Sequence, residues 1–165
     1  MRLRFAFAIL LFCLSVAAVT GQTPPKVNGS IETIVFVCPY GSAKSVVAAR
    51  FFNRMATEKK LPYRAVARGL TPEATIPPYV REPIKADGFE IGVNEKPVRL
   101  VTADVRGASA VVCIMCQLPA ALAASTREAI EWTDVPDVDA GYGPARDKIV
   151  KHLNELLVKL GRASK

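Results

Sequence analysis

The segment VFVCPYGSAKS, residues 35–45, sets a thiol, an ammonium and a hydroxyl at short fixed spacing: Cys38, a five-residue loop, then Lys44 and Ser45. An apolar run ends at Cys38, and a helical pattern begins just beyond the loop. The first N–H groups of a helix lack partners and carry partial positive charge. That field favours a thiolate over a thiol. The small residues Gly41, Ser42 and Ala43 let backbone close around an anion. Lys44 adds a full positive charge, and Ser45 can donate a hydrogen bond to the sulfur. These are the parts of a nucleophile set in an oxyanion cradle, with Tyr40 to Ala43 on the ligand's side. The competing reading is a structural cysteine buried at a strand end.

Other residues carry possible chemistry. WTDVPDVDAGY, residues 132–142, offers Asp134, Asp137 and Asp139 as proton donors, with Asp134 slightly preferred. Acidic residues in loops also commonly just face water. Asp147 opens a helix and reads as a dipole partner. VVCIMC, residues 111–116, holds Cys113 and Cys116. A thioredoxin-like CxxC would open a helix, but this one closes a strand. Core filler at Cys113 and a loop thiol at Cys116 is the plainer alternative. The only histidine is His152, so no four-ligand zinc pattern exists and no metal or other cofactor is expected.

The elements that must position these residues follow from periodicity. Thr33–Val37 is a continuous β-rich run of the kind buried on both faces of a parallel sheet. A helix follows over about 42–59, with Val47, Phe51 and Met55 on one face. Strands are predicted at 61–69, 110–115 and 127–132. Helix is expected from Pro72, interrupted at Pro77–Pro78 and resumed to about Asp87, where Gly88 ends it. A turn of helix falls in 95–105, and LPAALAAS is weakly helical. A last helix runs from Pro144 to Leu160, and Gly161 ends it. Alternating strands and helices predict a three-layer α/β fold with a parallel sheet. Ligands bind at the carboxyl ends of such strands. Cys38, Cys116 and the loop after Trp132 all fall there.

The chain has 165 residues and 50% hydrophobic content, which suits one folded domain. Residues 1–21 carry Arg2 and Arg4, an apolar stretch from Phe5 to Val19 and then small residues, the pattern of a secretory signal peptide. Cleavage after Ala18 and an uncleaved anchor are the alternatives, although the stretch is short for a membrane span. Residues 22–31 read as a linker, 32–161 as the domain and 162–165 as a tail. A periplasmic or secreted location is expected, with no stable span after cleavage. Loss of Arg2 and Arg4 takes the net charge from +7 to +5. No basic run with interleaved aromatics points to nucleic acid. Three cysteines remain, so one pair can oxidise and one thiol is left over.

VFVCPYGSAKS resembles the phosphate loop of the low-molecular-weight protein tyrosine phosphatases and the related thioredoxin-coupled arsenate reductases. ARGLTPE, residues 67–73, is similar to the family's small-residue segment after its second strand. ASAVVCIMC is similar to its third strand, and WTDVPD to its aromatic-plus-aspartate loop. The resemblance spans about 32–160 and implies a four-stranded parallel sheet, order 2-1-3-4, flanked by helices. It implies that Cys38 is the nucleophile on a phosphomonoester such as phosphotyrosine. Lys44, Ser45 and the loop amides would hold the oxyanion, and Asp134 or Asp137 would act as general acid. In the reductase branch a second cysteine attacks the first, and Cys116 matches that position; the partners would then be arsenate and a thiol reductant. A non-catalytic phosphate or oxyanion binder is the third reading.

Two residues depart from the family. Lys44 stands where the family has Arg, replacing a planar fork by a point charge. Pro39 has no N–H to offer an oxyanion, and one lost donor can cost about 3 kcal/mol. Weaker turnover on phosphotyrosine than in the family is therefore expected.

Overall fold

In the computed structural model, residues 30–163 are described. The expected signal peptide and the linker up to residue 29 lie outside the described residues. Four strands form one parallel sheet: β1 (Glu32–Cys38), β2 (Tyr63–Gly69), β3 (Ala108–Ile114) and β4 (Ala129–Trp132), in spatial order β2-β1-β3-β4. The expected order 2-1-3-4 is the observed one. Five helices connect and cover the strands: α1 (Lys44–Glu58), α2 (Pro78–Ala86), α3 (Thr102–Gly107), α4 (Ala120–Ala123) and α5 (Tyr142–Ala163).

The pleat of β1 divides the core. Ile34, Phe36 and Cys38 face α1 and α5, joining Val47, Phe52, Leu153 and Leu157 in the larger apolar cluster. Val35 and Val37 face the other way, with Val105, Val111 and Cys113. Period-two alternation sends neighbouring side chains to opposite faces. Phe36 is fully buried, with ring centroids 5.6 Å from both Phe52 and Trp132. Truncating such a ring to Ala typically costs about 3–5 kcal/mol.

Two helical expectations are corrected. Residues 70–77 are not helical. The N–H groups of Leu70, Thr71 and Glu73 are bonded to the carbonyls of Cys38, Pro39 and Tyr40, at 3.3, 2.8 and 3.1 Å. Those bonds tie the segment to the Cys38 loop instead. At the other end, Gly161 does not stop α5, which continues to Ala163. Glycine costs a helix about 1 kcal/mol without breaking it, and here its backbone packs beside Leu61. Among the described residues no helix is long and apolar enough to cross a membrane.

Candidate active site

The sheet delivers Cys38 to the bottom of a cleft of about 430 Å³ at the carboxyl ends of its strands. Cys38 is 3% exposed and is a free thiol. Its Sγ accepts the Gly41 N–H at 3.2 Å and lies 3.2 Å from Ser45 Oγ. Ser45 sits in the first turn of α1, whose N-cap, Ala43, provides no side-chain cap.

The loop's shape follows from its bonds to residues 70–73. All peptide bonds here are trans, so each amide points its N–H opposite to its carbonyl. The carbonyls of Pro39 and Tyr40 turn outward to Thr71 and Glu73. The N–H groups of Tyr40 and Gly41 therefore turn inward, and that of Gly41 reaches the sulfur. Outward anchoring requires close approach of the two chains. A Cβ on Gly41, which has φ +67°, would stand 2.7 Å from the Gly69 nitrogen. Only glycine fits that contact without strain.

Lys44 folds back from the start of α1 into the cleft, and its Nζ donates to Asp137 Oδ1 at 2.5 Å. This hydrogen bond, and then the lysine's charge, hold the Asp137 carboxyl below the usual carboxylate range. Asp137 is placed by its neighbours: Val135 and Val138 are buried and pin the loop, while Asp137 projects over the cleft.

Asp134, preferred at the outset, points elsewhere. Its carboxylate accepts from Lys148 at 2.8 Å and lies 2.6 Å from His152 Nε2, both on α5. Those contacts push its pKa down to about 2. The His152 ring in turn stacks on Trp132, centroids 4.9 Å apart. Asp134 does not line the cleft.

The structure does not join Cys38 to Cys116, the redox pair of the reductase reading. Cys116 is joined to Cys113 in a disulfide. Cys113 belongs to the core on the far face of the sheet from Cys38, so the pleat turns the pair away from the nucleophile. Cys116 Sγ still lies only 3.6 Å from the Val37 carbonyl oxygen.

Of the remaining expected residues, Tyr40, Ser42 and Ala43 line the cleft, while Gly41 serves through its backbone. Sequence reasoning missed Glu73, Tyr79 and Met115, which also line it. No local pattern marks Glu73 and Tyr79, because their segment reaches the cleft through its bonds to the loop, and Met115 follows the end of β3. Among the described residues no group of three His, Cys, Asp or Glu side chains could hold a metal ion.

No protein-family model matches the sequence, and a search of curated proteins finds no match. Solved structures do match. A thioredoxin-dependent arsenate reductase of Corynebacterium glutamicum superposes with a TM-score of 0.63 at 17% identity, over 84% of this chain and 66% of that one. The YwlE arginine phosphatase, a Bacillus subtilis protein seen with a phosphorylated active-site serine, gives 0.68 at 18% identity, over 81% and 99%. A low-molecular-weight protein tyrosine phosphatase of T. tengcongensis gives 0.62 at 19% identity, over 78% and 99%. The fold is thus that of the low-molecular-weight phosphatases and arsenate reductases. Both activities occur among its structural neighbours.

Proposed function

We propose that this protein hydrolyses a phosphomonoester through a cysteinyl-phosphate on Cys38. The observation that carries this reading is the environment of the sulfur. It accepts an N–H, touches the Ser45 hydroxyl and opens onto a cleft holding one ammonium and one carboxylate. Cys38 Sγ attacks phosphorus while the bond to the leaving oxygen breaks. Lys44, the inward loop amides and the free N–H groups of α1 hold the phosphoryl oxygens. Asp137, not Asp134, gives its proton to the leaving oxygen. Water then attacks phosphorus and passes its proton to Asp137, and Ser45 supports the departing thiolate.

Lys44 cannot serve both partners at once. While paired, it keeps Asp137 ionised, the wrong form for an acid. A bound phosphoryl group draws the ammonium onto its own oxygens and restores the affinity of Asp137 for a proton. Binding and proton donation are coupled through this one side chain.

Arsenate reduction is the second reading, favoured by the cysteine pair at the end of β3. It requires Cys116 as a thiol, and the Cys113–Cys116 disulfide has already consumed it. That supports hydrolysis over reduction.

The test is the intermediate itself. Acid-quenched protein taken during turnover of p-nitrophenyl phosphate should carry one phosphoryl group, mapped by mass to Cys38. Undiminished turnover by Cys38→Ser would overturn the proposal.

A further inference from the structure

The loop that would hold a phosphoryl group has a carboxylate built onto it. Glu73 donates its backbone N–H to the Tyr40 carbonyl at 3.1 Å, and its side chain accepts the hydroxyl proton of Ser42, which is 2% exposed. Main chain and side chain thus both fix Glu73 against residues 40–42. No basic side chain forms an ion pair with it among the described residues. Asp139, on the opposite loop, likewise forms no ion pair among the described residues; its carboxylate accepts the Ala140 N–H at 3.0 Å. Both line the cleft above Cys38.

Tyr79, near the start of α2, lines the same cleft. Burial raises the pKa of its phenol, and the charges of Glu73, Asp139 and Cys38 raise it further. Among the described residues, Lys44 is the only basic one lining the cleft, and Asp137 neutralises it. Two uncompensated carboxylates therefore overlook a site meant for a dianion. Like charges at such range repel. A ligand bearing its own cation turns that repulsion into attraction. The exposed rings of Tyr40 and Tyr79 offer π-faces to the same cation.

We propose that Glu73 and Asp139 select phosphoryl compounds whose leaving group carries a positive charge, an alkylammonium or guanidinium a few bonds beyond the ester oxygen. This inference rests on the phosphatase reading and concerns the same cleft. The phosphoryl oxygens go to Lys44 and the loop amides, and the leaving group's cation lies between the two carboxylates.

The experiment uses three phenyl phosphates differing only in the para substituent: trimethylammoniomethyl, methyl and carboxymethyl. Calorimetry measures their binding to Cys38→Ser, and steady-state kinetics measures kcat/KM with the unaltered protein. The expected order is cation, neutral, anion, with the extremes about tenfold apart, the size set by two exposed charge contacts. The spread should shrink in high salt and in Glu73→Gln/Asp139→Asn, where both amides keep a hydrogen-bond acceptor. A flat or reversed order in the unaltered protein overturns the inference, whatever the variants do. Graded binding without turnover would leave the charge selection standing and remove the phosphatase reading. Turnover with a flat order would do the opposite.

Discussion

Lys44 and Asp137, 93 residues apart, form a 2.5 Å ion pair across the mouth of the cleft. The lysine's ammonium is nearly buried, whereas the Asp137 side chain is 73% exposed. Solvent screens such a pair, so its worth to stability is small. In the proposed mechanism it keeps Asp137 ionised until a ligand competes for the lysine.

Replacing Asp137 by Asn should lower kcat by roughly 10²–10⁴-fold, the usual contribution of a positioned general acid. The loss should be largest for esters with poor leaving groups and smallest for p-nitrophenyl phosphate. Asp134→Asn should leave kcat within about twofold, because Asp134 is tied to α5 outside the cleft. Equal losses from both variants would contradict the assignment.

Lys44→Arg should raise kcat/KM for phosphomonoesters by about tenfold, through one extra charge-assisted hydrogen bond to the phosphoryl oxygens. The gain should show mainly in KM if the guanidinium binds ground and transition states alike. A decrease would indicate that the cleft is shaped around the slimmer ammonium.

Stability should depend on acid through Asp134. Its folded pKa is depressed to about 2, first by the hydrogen bond from Lys148 and then by that from His152. A depressed carboxylate stabilises the fold above its unfolded pKa of about 4. That contribution is lost as pH falls toward 2. Urea midpoints measured from pH 6 to 2 should fall more steeply for the unaltered protein than for Asp134→Asn. Trp132, the single tryptophan, gives the fluorescence signal.

Reducing the Cys113–Cys116 disulfide should cost about 2 kcal/mol of stability, since it closes a very short loop. Phosphatase turnover should survive in Cys113→Ala/Cys116→Ala, provided folding is checked by circular dichroism. Loss of turnover with the fold intact would show that the cysteine pair takes part in the reaction.

Much of this protein is legible before any coordinates. Apolar β-rich runs at 33–37 and 110–115 mark strands buried on both faces of a parallel sheet, while 61–69 and 127–132 carry charged residues and form its two edges. The five-residue interval from Cys38 to Lys44 marks a strand-to-helix loop, and right-handed connection leaves few topologies for the rest. Residues 70–77 were less readable. Proline-spaced sequence fits a helix start, but the donors of Leu70, Thr71 and Glu73 go to the Cys38 loop. Hydrogen bonds to a distant segment leave no periodic trace.

The nucleophile candidate and the anion-sized loop after it are readable from local sequence, since both depend on neighbours within eight positions. Asp134 and Asp137, three places apart in one loop, are told apart only in three dimensions: buried Val135 and Val138 leave Asp137 over the cleft, and the α5 contacts hold Asp134 away from it. Tertiary structure likewise paired Cys116 with Cys113 and brought Glu73 to the rim. The physical reason is common to all three. Side-chain direction depends on which face of a sheet or loop is buried, and burial is decided by segments far away in the chain.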